Sequence, residues 1–269
     1  MILEITSKEN DKIKYTKSLL KKKNRIEEKR YIIEGYKIVK DAIKSNENID
    51  YVFITDTFLQ KQECIDTIES IKNKNININI YKVNDKLFRE ITDTENPQGI
   101  VAVVKYEMHS LENIINNKDL NFVLILDRIQ DPGNMGTIIR TADASGVDCI
   151  ILLKGCVDIY NPKVIRSTMG SIFNIPIIEG EEDIINILKE SKFNVVSSTL
   201  DTDNYYHKVD YGQKVALVIG NEGSGISKSI IDVSDILIKI PIYGGAESLN
   251  AAIASGILMY EIKNSLSCK

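Results

Sequence analysis

Three stretches of this chain place polar residues directly after apolar runs, where a fold could use them for chemistry. In the first, LDRIQDPGNMGTIIRTADASG (126–146), the run FVLIL gives way to Asp131-Pro132-Gly133-Asn134 and then to a helical pattern that carries Arg140 and ends near Gly146. In the second, VIGNEGSGIS (218–227), Glu222 is held among Gly220, Gly223 and Gly225. In the third, IPIYGGAESLNAAIASGILMYEI (240–262), Gly244-Gly245 leads through Ser248, Leu249 and Asn250 into a helix. The glycine spacing of the second stretch fits neither a dinucleotide fingerprint nor a phosphate loop. A carboxylate among those glycines would repel phosphates and tolerate a positively charged sulfonium. Each stretch also has a plain structural account. Asn134 could cap its helix, Ser248 and Asn250 could finish theirs, Arg140 could be a solvated helix arginine, and Ile240 and Leu249 could be core.

The elements that must position these residues are legible as apolar runs. FVLIL (122–126), CIILL (149–153), VVSST (195–199), VALVIG (215–220) and ILIKIP (236–241) are separated by helix-length segments and lack strict alternation, which predicts strands buried on both faces of a largely parallel sheet. In such a sheet ligands bind beyond the carboxyl ends of the strands, where all three stretches lie. The segment 249–262 is small or apolar on nearly every side, which predicts a helix buried all round.

The leading part reads as a separate, smaller α/β domain. Residues 10–30 show apolar residues at helical spacing, Tyr31–Ile33 leads into a second helix through Gly35, and YVFIT (51–55), a helix near 58–74, INIYKV (78–83), a short helix near 84–91 and GIVAVVKY (99–106) follow. An Asn-rich polar stretch then marks a linker, so the expected domains are 1–106 and 121–269, joined by 107–120.

The net charge of −4 is unevenly spread: residues 1–105 carry +3, residues 106–269 carry −7, and the first forty residues hold 12 basic against 6 acidic side chains. A basic leading segment on an acidic remainder suits a module that grips RNA, and a lysine-rich solvated helix would show the same charge. Cys64, Cys149, Cys156 and Cys268 form no Cys-x-x-Cys pair, so they read as free thiols rather than a zinc site or disulfide framework. The start of the chain has no apolar stretch of signal-peptide type and no segment is long enough to span a bilayer, so the expected location is cytoplasmic, with no membrane partner.

Taken together and in order, the three stretches resemble the three motifs of the SpoU/TrmH family of RNA ribose methyltransferases, within the SPOUT class. The resemblance covers most of residues 120–262. Residues 10–43 and the segment TENPQGIVAVV (94–104) resemble the opening and closing parts of that family's substrate-binding domain. The resemblance implies a deep trefoil knot in the carboxyl-terminal domain, S-adenosylmethionine as cofactor, a homodimer with the active site completed across the interface, and methyl transfer to a ribose 2′-hydroxyl of structured RNA. The separate leading domain resembles those of ribosomal enzymes, which makes 23S rRNA the expected substrate. A tRNA ribose methyltransferase, a base-methylating SPOUT enzyme and an RNA-binding SPOUT protein without activity are the alternatives.

Carried over by residue, the cofactor contacts are Gly220, Ile240 and Leu249, with Thr199 on the preceding loop, and a missing side chain at Gly220 would let a ring approach the backbone. The catalytic set is Asn134, Arg140, Glu222, Ser248 and Asn250. A hydroxyl attacking a methyl group in line with the departing sulfur needs positioning first and proton removal second. Because a guanidinium stays protonated, Arg140 is expected to fix the phosphate and stabilise the developing oxyanion rather than act as base. Asn134 and Glu222 shape the pocket, and Ser248 and Asn250 hydrogen-bond near the cofactor. His109 and His207 match no motif, and a sulfonium leaving group needs no metal. RNA phosphates are expected to meet Lys21, Lys22, Lys23, Arg25, Lys29, Arg30 and Arg166.

Overall fold

A computed structural model describes residues 2–74, 78–107 and 120–267 and divides them into two compact units. The expected linker, with His109 in it, lies outside the described residues apart from Glu107 and Leu120, as does Cys268.

The first unit contains residues up to 107 together with 158–173. Its mixed five-stranded sheet has the order β1-β4-β3-β5-β2, built from β1 (Ile2–Glu4), β2 (Arg30–Glu34), β3 (Asn48–Thr55), β4 (Asn79–Val83) and β5 (Ile100–Lys105). Alternation divides its apolar residues between two cores. Tyr31, Ile33, Val52, Ile54, Ala102 and Val104 face one core with Val39 and Ile43 of the helix Tyr36–Lys44, whereas Ile32, Tyr51, Phe53, Val101 and Val103 face the other with Ile13, Leu19 and Phe88. The helical stretch expected over 10–30 is two short helices, Asp11–Ser18 and Lys22–Glu28, the second closed by Lys29 at φ 50° before β2 begins. The short helix Pro162–Thr168 packs Ile165 into the first core, and Tyr160 stacks on Tyr106 at 4.0 Å.

The second unit holds a six-stranded sheet, entirely parallel, in the order β11-β9-β10-β6-β7-β8. β6 (Phe122–Leu126), β7 (Cys149–Leu153) and β10 (Val215–Ile219) are buried at every position, as unbroken apolar runs require. β9 (Asn194–Ser198) and β11 (Ile236–Ile238) flank β10, and β8 (Ile177–Gly180), a short edge strand that no long apolar run announces, closes the far side. The helix Pro132–Ser145 packs against the last helix, Ala251–Ser267. The last helix is not buried all round: Ala252, Ser255, Leu258, Met259 and Ile262 face inward, whereas Ile253 and Tyr260 are 55% and 50% exposed. Among the described residues no helix is long and apolar enough to cross a membrane.

Candidate active site

The parallel sheet sends its strand ends to one edge, and three adjacent strands, β11, β9 and β10, release the loops that form a cleft of about 410 Å³ there. Thr199, Gly220, Ile240 and Leu249 all line this cleft, with Glu222 and Ser248. Its volume lies within the range of small-molecule sites, and its walls are largely apolar. The only ionisable side chains in the lining are the carboxylates of Asp201 and Glu222. Two carboxylates and no cation suit a ligand that bears positive charge and disfavour one that bears phosphates.

The loop after β10 is folded on itself by its own hydrogen bonds. Asn221 and Gly225 exchange backbone hydrogen bonds at 3.1 and 3.0 Å, and the Asn221 side-chain oxygen accepts from the amides of Gly223 and Ser224, each at 3.0 Å. The chain therefore doubles back on Gly220, where a Cβ would lie 2.3 Å from both the carbonyl carbon of Gly225 and the nitrogen of Ile226. Glycine at 220 is thus required by the loop's own return, a constraint that the sequence reading did not include.

A second hydrogen-bonded chain crosses from the first stretch to the third. Asn134 donates to Glu222 Oε1 at 2.9 Å and accepts from the Asn250 side-chain amide at 2.9 Å. The three motif residues are thereby fixed together. The first helix is not capped as expected, and the last is capped by one of its two candidates. Asp131 caps the helix Pro132–Ser145 by accepting from the Asn134 amide at 2.7 Å, with Pro132 at the first helical position, so the Asn134 side chain is left free for Glu222. Asn250, not Ser248, accepts from the amides of Ala252 and Ile253 at the start of the last helix.

Arg140 lies outside this group. It is exposed on the helix Pro132–Ser145, six residues beyond Asn134, and neither joins the Asn134 chain nor lines the cleft.

Three further residues support the site, and the motif reading passed over them. Asp127, directly after β6 and 2% exposed, takes a two-point hydrogen bond from Arg128, Nε to Oδ1 at 2.9 Å and Nη2 to Oδ2 at 3.0 Å. It also accepts from the Ser227 amide and hydroxyl at 2.7 and 2.6 Å. Burial pushes the Asp127 carboxyl up, but the hydrogen bonds and charge of Arg128 and Ser227 outweigh it and hold the group below the usual aspartate value. Arg128, at φ 57°, also donates to the Gly225 carbonyl at 3.1 Å and Ser224 Oγ at 3.3 Å, and its own carbonyl accepts from Asn221 at 2.8 Å. The available signal was position alone: charged and amide residues immediately after buried strands.

In the first unit the expected RNA contacts separate into two groups. Lys21, Lys22, Lys23 and Lys29 are exposed. Arg25 is 3% exposed, pairs with Asp158 at 2.6 Å and donates to the carbonyls of Leu19 and Leu20, so it is an internal tie and not a phosphate contact. Arg30 is paired with Asp50, and Arg166 with Asp93 at 3.2 Å.

Comparison with known proteins adds an independent line. The SpoU rRNA Methylase family matches residues 121–260, and the MRM3-like substrate binding domain matches residues 10–102. A relative from Bacillus subtilis, the 23S rRNA (guanosine(2553)-2′-O)-methyltransferase RlmP, is 33% identical over 97% of this chain and 99% of its own length. The AdoMet-bound rRNA methyltransferase of Sinorhizobium meliloti superposes with a TM-score of 0.87 at 33% identity, covering 98% of each chain. AviRb of Streptomyces viridochromogenes, a SpoU methyltransferase solved with AdoMet, superposes at 0.84 over 95% of this chain and 97% of its own, and at 24% identity it speaks for the fold alone.

Proposed function

The chain belongs to the SpoU rRNA Methylase family, and from that premise we propose that it methylates the ribose 2′-hydroxyl of a guanosine in 23S rRNA, the counterpart of the nucleotide named for the Bacillus subtilis relative. S-adenosylmethionine is the methyl donor. The observation that carries this reading is the cleft at the ends of β9, β10 and β11, lined by carboxylates without a cation and joined at Glu222 to Asn134 and Asn250.

Bound there, the cofactor supplies an electrophilic methyl group on a sulfonium. The protein's part is positioning and charge. Thr199, Gly220, Ile240 and Leu249 form the walls, and Ser248 offers a hydroxyl beside them. Asn134, Glu222 and Asn250 fix the loop after β10 against the start of the helix that carries Arg140. Arg140 holds the target phosphate and stabilises the oxyanion as the 2′-hydroxyl loses its proton. An exposed arginine outside the cleft fits a homodimer in which Arg140 of one protomer completes the other's site. Support comes from the apolar face left open by Leu249, Ile253 and Tyr260.

Residues 1–106 serve as the substrate-binding domain and 121–269 as the methyltransferase domain, with 107–120 between them, a division supported by the two family matches. Lys21, Lys22, Lys23 and Lys29 supply phosphate contacts. The carboxyl-terminal domain carries the family's trefoil knot, with the loops after β10 and β11 as its threaded segments. A ribosomal substrate puts the enzyme in the cytoplasm. The test is methyl transfer from labelled S-adenosylmethionine to ribosomal RNA and tRNA from cells lacking the protein, followed by nucleoside mass spectrometry. Labelled 2′-O-methylguanosine from 23S rRNA is the expected product, and label confined to tRNA would move the substrate to that pool.

A further inference from the structure

We infer that Asp127 and Arg128, to which the motif reading gives no role, form a clasp that positions the cofactor-binding loop, so that their loss weakens cofactor binding without removing chemistry. The inference rests on the proposed cofactor cleft. The loop 220–227 supplies much of one wall of that cleft, yet Glu222, Gly223, Ser224 and Gly225 are all exposed and bury no apolar side chain of their own. Apolar packing reaches the loop only at Ile226, near its end, so the conformation of 221–225 depends on hydrogen bonds.

Beside the loop's internal bonds at Asn221, those that tie its start, far side and end to the sheet converge on the two residues after β6. Arg128 grips the far side of the loop at Gly225 and Ser224, Asp127 grips its end at Ser227, and the Arg128 carbonyl holds its beginning through Asn221. Asp127 orients the guanidinium by the two-point bond, a geometry that lysine cannot reproduce. The space for the arginine is also built in: at Gly155, φ 98°, a Cβ would meet Arg128 Cγ at 2.9 Å. Arg128 is itself held in the left-handed region at φ 57°, a conformation that costs a non-glycine residue free energy and that these contacts offset. Neither residue itself lines the cleft or bonds to Asn134, Glu222 or Asn250, and the pair so acts through the loop as a positioning device.

The test is calorimetric titration of S-adenosylmethionine into the intact protein and its Arg128→Ala, Arg128→Lys and Asp127→Asn variants, with kcat at saturating cofactor and RNA measured in parallel. Arg128→Ala is expected to weaken cofactor binding about tenfold or more, the loss of one or two charge-assisted hydrogen bonds, with kcat within about threefold of the parent. Arg128→Lys is expected to recover less than half of the loss, and millimolar guanidinium to restore binding to Arg128→Ala, which general destabilisation would not allow. An unchanged Kd in Arg128→Ala overturns the clasp, as does a fall in kcat with Kd unaltered. If Asp127→Asn fails to fold, the Arg128 pair of variants decides alone. Absence of cofactor binding by the parent protein would instead sink the functional reading itself.

Discussion

Gly220 is constrained by the loop it opens as well as by its place in the cleft lining. Its place after a strand marks it as a site residue, but the loop's constraint on it is the returning backbone of Gly225 and Ile226, a tertiary fact that no spacing reveals. Gly220→Ala must push that backbone aside, and cofactor affinity should fall at least about tenfold, measurable by calorimetry. Asn134 and Asp131 present a related ambiguity, since both residue types cap helices. Pro132 decides it, because proline is favoured at the first helical position and the residue before it is then the cap. That signal was present in the sequence. The exposure of Arg140 was one of two readings that the sequence left open. Arg140→Ala is expected to lower kcat at least about a hundredfold while S-adenosylmethionine still binds with the parent Kd, because the residue lies outside the cleft. A loss of cofactor binding in that variant would contradict the role given to it.

At the scale of elements, the runs that became β6, β7 and β10 were legible because burial on both faces leaves no polar position to confuse the pattern. β8 and the break of residues 10–30 into two helices were not, since a short edge strand and a turn over 19–21 leave little apolar trace. Arg25 was misread for a different reason. Within a basic run it resembles its neighbours, and the partner that buries it, Asp158, lies 133 residues away. Breaking a buried ion pair strands a charge. Arg25→Ala should therefore lower unfolding stability by about 3–5 kcal/mol, seen as a lower urea midpoint. Replacing Lys21 and Lys22 by alanine should leave the midpoint within about 0.5 kcal/mol of the parent and instead weaken RNA binding, reducing its salt slope by about two. Equal stability of the Arg25 variant would overturn its assignment as an internal tie.

The whole molecule joins a basic leading part to an acidic remainder, and each half matches its own family description. The charge division was visible from composition. The open apolar face was not, because an all-round apolar helix predicts complete burial and the single chain leaves Ile253 and Tyr260 half uncovered. The proposed second copy of the chain would cover that face. Ile253→Lys with Tyr260→Lys should sediment as a monomer and lose methyl transfer, and mixing inactive Arg140→Ala and Asn134→Ala proteins should restore part of the activity through hybrid dimers. Failure of the mixture, with hybrids demonstrated, would place each active site within one protomer. The central claim, transfer to a ribose hydroxyl, is tested most directly with two 23S rRNA fragments that differ only by a 2′-deoxy substitution at the target guanosine. Labelled S-adenosylmethionine should mark the ribose fragment and leave the deoxy fragment unlabelled, whereas equal labelling of both would show that the methyl group goes to another atom.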